Sequence, residues 1–270
     1  MKPAAPGSGR KSPPDIQLIR GRYKRIATWL LIIVVFILCS IHIHATPYKL
    51  MTGLPQMGSL LQEMIPPDWS YIPTIWQPIM ETIQIAIVGT TLGGILAIPV
   101  ALLCAYNMMP NKWVSIPMRV ILNLVRTIPD LLFASIFVAM FGIGPFAGML
   151  ALLFFSFGII AKLTFESIEA IDPGPLEAMT AVGANRLQVI MFGVVPQAFP
   201  YFVSYFLYTF EVNIRAASVL GLVGAGGIGI LLDRSLGLFR YDRASMIILI
   251  TLVIVLAIDY GSTRIRRSLL

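Results

Sequence analysis

The chain has 270 residues, 57% of them hydrophobic and only 12% charged, with a mean hydropathy of +0.83. Soluble domains average about 45–50% apolar and about 25% charged residues, so this composition argues against a water-soluble enzyme and for a membrane protein. The net charge of +7 comes with no nucleic-acid motif, and no nucleic-acid partner is expected.

Residues 1–25, including "KPAAPGSGRKSPPD", have little with which to build a core and read as a disordered basic tail. "IATWLLIIVVFILCSIHI" (Ile26–Ile43) follows without a single Asp, Glu, Lys or Arg. About 20 such residues cross a bilayer as a helix. The run is too long for a usual signal-peptide core, and "IHIHATP" offers no clean small-x-small cleavage site, so it reads as an uncleaved first span. The segment after it, to about Ile79, contains "PPDWSYIPTIW" (Pro66–Trp76), whose Trp and Tyr suit the headgroup level. Residues 26–75 are thus a first span with an outside segment, and 76–267 form the main bundle.

Five more spans are expected: Ile79–Tyr106, Leu131–Phe141 (Thr127–Ile143 at full length), Pro145–Thr164, Pro196–Ile214 and Ala244–Tyr260. The whole is an all-α polytopic protein of about six transmembrane helices. Glu81, Gln84, Gly93, Gly94 and Pro99 in the second span suit a helix packed on protein rather than lipid. Cys39 and Cys104 lie in spans and read as small apolar packers. His42 and His44 lack acidic or thiol neighbours, so no metal site is expected. No nucleophile–base pair is evident, so no catalytic residue is expected. With the N-terminus inside, fifteen Lys and Arg lie inside and five outside. That places both termini in the cytoplasm.

The segment Ser167–Val195 then lies on the cytoplasmic side. Asp172 and Pro173 suit a helix start, with a later cap also open. Gly183 suits a left-handed stop. Asn185 and Gln188 have capping-box spacing. The expected form is helix, sharp turn, helix. Further on, "GAGGIG" (Gly224–Gly229) satisfies G-x-G-x-x-G, but no βαβ unit surrounds it and no Lys-Ser/Thr follows. Gly224, Gly226 and Gly227 read either as close packing or as a flexing gate beside a path. In "YTFEVNIRAAS", Glu211 and Arg215 are helical neighbours flanking Asn213. They either neutralise each other or line a path for an anion. Lys162 and Glu166 form a second i, i+4 pair. Arg126 and Asp130 flank Pro129, which leaves their alignment open.

"EAMTAVGANRLQVIMFGVVP" resembles the EAA loop of ABC-importer permeases. Glu177, Ala178, Gly183 and Pro196 fall on that pattern, while Met179, Gly193 and Val195 depart from it. "RTIPDLLFASIFVAMFGIGPFAGMLAL", "FESIEAIDPGP" and "VVPQAFPYFVSYFLYTFEVNIRAASVLGLVGAGGIG" are similar to permeases of the phosphonate importer group, over roughly Trp76–Arg267. The resemblance implies a MetI-like fold in a bacterial inner membrane. It implies a second permease subunit, an identical copy being simplest, and two cytoplasmic ATPases that carry the ATP and Mg; no cofactor is expected in this chain. It also implies an extracytoplasmic binding protein and a phosphorus oxyanion as cargo. Glu177, Ala178, Gly183 and Arg186 would then form the ATPase-coupling knob. A permease for another small solute and a stand-alone secondary transporter compete with this reading.

Overall fold

The structure is a computed structural model that describes residues 16–43 and 47–269. Every element among the described residues is helical. Five helices are long and apolar enough to cross a membrane, or six if one bent pair counts as a single span. In hydrocarbon each backbone N–H and C=O needs an internal partner, and the helix satisfies them all within one segment.

The chain divides into two compact units at Gln62/Glu63. The first unit contains α1 (Ile16–His42) and α2 (Pro47–Glu63). α1 starts ten residues before the expected span, inside the stretch read as a tail. Residues 1–15 and His44 lie outside the described residues. α2 lies in the outside segment, for which no helix is expected from the sequence, and the stretch Pro66–Trp76 holds a 3-10 turn and the start of the next helix.

The second unit opens with a 3-10 turn at Trp69–Tyr71, capped by Asp68. α3 (Ile72–Cys104) follows, seven residues longer at its start than expected. It packs on α6 (Pro145–Glu169). The contact is made backbone to backbone: a Cβ on Gly89 would stand 3.1 Å from the Met149 carbonyl, and one on Gly93 2.7 Å from the Leu153 carbonyl. Lipid offers no hydrophobic drive between helices, so small residues that permit such approach supply the packing.

Between α3 and α6 the expected third span, Leu131–Phe141, is present as the second helix of a bent pair. α4 (Lys112–Thr127) and α5 (Asp130–Phe141) meet at 85°. Pro129 is the cause: it disfavours helix at Ile128, which is extended at φ −80°, ψ 121°. The region of α4 belongs to none of the expected spans. Its signals were present, with Asn111 accepting from the Trp113 N–H as N-cap and Met118, Leu122 and Val125 spaced along one face. Arg126 and Asp130 do not pair across the bend; Asp130 accepts the Leu131 N–H instead.

After α6 come α7 (Gly174–Ala181), a single turn α8 (Arg186–Gln188) and α9 (Val195–Leu220). A π-helical turn, Val189–Val194, joins α8 to α9. The second arm of the expected helix–turn–helix is therefore the start of α9. Pro196 has no N–H with which to reach back to Phe192, and the preceding turn widens so that the Val195 N–H bonds to Ile190. α10 (Ile228–Gly237) and α11 (Tyr241–Leu269) complete the unit.

Three buried clusters run along the unit. One, at the end near α7, holds Cys104, Leu122, Ile160, Phe165 and Val194. The middle one holds Ile85, Phe133, Leu152, Ile214 and Leu220. The third, at the far end, holds Ile75, Ile79, Ile228, Met246 and Ile247. The α7 end is called the knob end below.

Candidate functional site

The knob is built from short-range rules. Asp172 Oδ1 accepts the Gly174 N–H at 3.0 Å, and Pro173 is the N-cap. α7 ends at Val182, and Gly183 turns the chain at φ 83°. That left-handed conformation favours glycine. Asn185 and Gln188 make the expected capping box, each side chain bonded to the other's backbone N–H at 2.9 and 2.8 Å. α7 then folds back on the π turn. Gly193, one of the departures from the EAA pattern, leaves room for Met179 and Leu176, whose atoms would stand 3.3 and 3.4 Å from a Cβ there.

Glu177, Ala178, Gly183 and Arg186 are exposed on this knob, and among the described residues neither Glu177 nor Arg186 has an ion-pair partner. Arg186 does not fold back onto Glu177. Around them Val182, Leu187 and Phe192 stand 84%, 68% and 73% exposed. A free carboxylate and a guanidinium set among bare apolar side chains make a surface fit for another protein.

Behind the knob lies a latch that the sequence did not disclose. Arg119 of α4 ion-pairs with Glu169 at the end of α6, and its Nε donates to the Cys104 carbonyl at 2.8 Å. Its guanidinium sits 3.5 Å from the Tyr106 ring centroid and 4.6 Å from that of Phe165. Glu169 also accepts the Tyr106 N–H at 2.8 Å. One arginine thus ties α3, α4 and α6 together beside the knob. The sequence had marked Arg119 only as one positive charge among fifteen. Lys162 and Glu166 pair as expected, at 2.5 Å. An open cavity of about 640 Å³ lies between α6 and α9, lined by Glu166, Ser167, Asp172, Gln197, Tyr201 and Tyr205 among others.

The residues proposed for a path separate into three places. Asn213 is fully buried, its amide donating at 2.6 Å to Thr90 Oγ1 and at 2.6 Å to Ser156 Oγ. It ties α3, α6 and α9 together inside the unit and lines no surface. Gly224, Gly226 and Gly227 form a tight turn at the far end. The Gly227 N–H donates to Glu81 Oε1 at 2.9 Å and the Ile228 N–H to Thr82 Oγ1 at 2.8 Å, so α3 caps α10. A Cβ on Gly226 would lie 2.7 Å from Pro145 Cα. This packed turn has no strand before it and is no dinucleotide loop. Glu211 and Arg215 pair at 2.6 Å, as their spacing predicted. A third member was missed: Arg266 of α11 approaches the other carboxylate oxygen of Glu211 at 3.4 Å. Among the described residues no cluster of His, Cys, Asp and Glu could hold a metal, and Cys39 and Cys104 are free thiols.

Residues 97–269 match the family described as "Binding-protein-dependent transport system inner membrane component". The phosphite transport system permease protein PtxC of Stutzerimonas stutzeri is 38% identical over 218 residues, covering 81% of this chain and 79% of that protein. The phosphate-import permease protein PhnE of Mycolicibacterium smegmatis is 38% identical over 224 residues, covering 83% of this chain and 42% of that longer protein. In fold, the chain is similar to the MetNI methionine ABC transporter in an inward-facing conformation, with a TM-score of 0.66 and 21% identity over 75% of this chain and 99% of that one. Matched along most of the second unit, through bent pair, knob and final span, the chain belongs to the family of binding-protein-dependent transport system inner membrane components.

Proposed function

We propose that this chain is the membrane-spanning subunit of an ATP-driven importer for phosphorus oxyanions: phosphite, phosphonate or phosphate. It is a multi-pass membrane transport component and not an enzyme. Its family works with a substrate-binding protein and an ATPase. The cargo reading rests on relatives named for phosphite and phosphate transport at 38% identity.

The observation that carries the mechanism is the exposed knob around Glu177, Gly183 and Arg186. It sits where α6 ends and α9 begins, so a force on it acts on two core helices at once. An ATPase subunit binds it, with Glu177 and Arg186 making charge-assisted bonds and the exposed Val182, Leu187 and Phe192 filling its groove. ATP and Mg belong to that partner. The charge balance supports an orientation with the knob and both termini in the cytoplasm. Two copies of the chain related by a two-fold axis would present two knobs to two ATPases.

The test is co-purification with the ATPase and binding protein, followed by uptake of labelled phosphite, methylphosphonate and phosphate by the reconstituted complex. Wild type is expected to accumulate at least one of these with ATP. Glu177→Ala is expected to lose most of that uptake. Uptake by this chain without an ATPase would refute the proposal.

A further inference from the structure

The second unit exposes a charged group beside the apolar run of its last helix. Arg215 and Val255 line the same groove on α9 and α11. Val255 is fourteen residues from each end of α11, or about 21 Å at 1.5 Å per residue. Arg215 is therefore beside the apolar run Ala244–Ile258 of α11, and its side chain is 53% exposed. A bare guanidinium beside such a run faces water or protein rather than lipid tails.

Its surroundings have a definite order. Glu211 is only 10% exposed and Arg266 27%. Each carboxylate oxygen of Glu211 is engaged by a different arginine: Oε1 by Arg215 and Oε2 by Arg266. Side chains lean toward the N-terminus of their own helix. α9 and α11 are antiparallel, in a register set by the bond from Ser262 Oγ to the Leu207 carbonyl. Glu211 leans toward the knob and Arg266 away from it, so they meet although Arg266 starts from a lower level. The triad carries one net positive charge, and Arg215 is its outward member.

Arg215 also belongs to a lane. Tyr201, Tyr208 and Arg215 recur every seven residues on α9, and all are exposed. Seven residues are close to two helical turns, so they share a face. The lane opens at the knob end into the polar cavity lined by Tyr201, Tyr205 and Ser167.

We propose that Arg215 is a contact on α9 for an anionic phosphoryl cargo, and that Arg266 is the counter-ion that lets Arg215 leave Glu211 to make it. This deepens the importer reading and rests on it. When Arg215 turns to the oxyanion, Glu211 stays neutralised by Arg266, so no buried carboxylate is stranded. When the cargo moves toward the tyrosines, Glu211 recaptures Arg215. The exchange keeps the hold on the cargo brief, which passage requires.

The test uses the reconstituted complex with its ATPase and loaded binding protein, and scores uptake of labelled phosphite, methylphosphonate and phosphate per assembled complex. Arg215→Gln is expected to reduce uptake at least about tenfold. Arg266→Gln leaves Arg215 as the sole counter-ion of Glu211 and is expected to slow uptake; adding Glu211→Gln in that background is expected to restore it. A purely structural triad predicts no such rescue. A second arm needs no cargo. In a chain lacking Cys39 and Cys104, Tyr208→Cys is labelled with small anionic and cationic thiosulfonates. The anionic reagent is expected to react several-fold faster, and adding Arg215→Gln should bring the two rates together. Uptake by Arg215→Gln within about twofold of wild type overturns the proposal, as does failure of the rescue. So does a Tyr208→Cys that reacts with neither reagent, which would mean that lipid or another subunit covers the lane. A wild-type complex that takes up none of the three oxyanions overturns the cargo reading instead, and the labelling ratio still decides whether the lane attracts anions.

Discussion

Single side chains in this protein act chiefly by joining helices that are far apart in sequence. Asn213 bonds to Thr90 and Ser156, 123 and 57 residues away. In a membrane bundle such interhelical bonds are each worth about 0.6 kcal/mol on average and about 1.7 at most. Asn213→Ala is therefore expected to cost about 1–2 kcal/mol, read as a lower melting temperature of the purified chain in detergent. Asp68 shows the same principle at the far end, outside the spans. The Ser70 hydroxyl, with help from the Ser70 N–H and Arg243, holds its carboxyl below the usual value of 3.8. A depressed acid contributes stability above its unfolded pKa and loses it as pH falls through the folded one. Comparing Asp68→Asn with wild type from pH 6 downward, the melting difference should be full at pH 6 and vanish only below about pH 4.

At the scale of elements, the bent pair and the knob are the parts that can move as units. Arg119 links them through Glu169, Cys104 and two aromatic faces. Its side chain is 20% exposed and that of Glu169 27%, so part of the attraction is screened. Arg119→Ala is expected to cost about 1–3 kcal/mol. It is also expected to reduce uptake more than it reduces ATP hydrolysis, because the knob would then move without carrying α4 along. Equal losses in both assays would refute that link. The turn at Gly224–Gly227 behaves oppositely, as a fixed corner. Gly226 has φ 89° and lies against Pro145 backbone. Gly226→Val should therefore abolish the folded, detergent-stable chain, as seen by size-exclusion chromatography, with no variant that is folded yet merely slow.

The second unit is a bundle whose two ends are built differently. Its far end is closed on itself: Asp68 bonds to Asp242, Gly144 to Gly224, and α3 caps α10. Its knob end leaves Glu177, Arg186 and a set of apolar side chains uncovered. In sealed vesicles of known orientation, Gly183→Cys should react with an impermeant reagent only from the cytoplasmic face. Mass measurement of the assembled complex should return two copies of this chain with two ATPases. Reaction at Gly183→Cys from the opposite face would invert the proposed orientation.

Much of this architecture is written locally. A run such as Ile26–Ile43 or Ala244–Tyr260 has one low-energy form in hydrocarbon, so spans can be read from hydropathy. The Gly183 turn and the Asn185–Gln188 capping box are bonds within four residues, and their geometry follows from residue type and spacing. Even α4 carried its cap at Asn111, although its apolar stripe is too mixed to stand out as a span. Other features depend on helix register, which no local pattern contains. Glu211 and Arg215 are neighbours in sequence, but Arg266 joins them only because Ser262 settles against Leu207 and two antiparallel helices aim their side chains at each other. Arg119 becomes a latch only when α3, α4 and α6 end side by side. Asn213, indistinguishable in sequence from a path-lining residue, is in the core because α9 turns that face toward Thr90 and Ser156. Sequence by itself determined which segments enter the membrane and how the knob bends, because those depend on hydration and on bonds within a few residues. Tertiary structure alone decided which charges meet, since a rotation of one helix by half a turn would bring other side chains together.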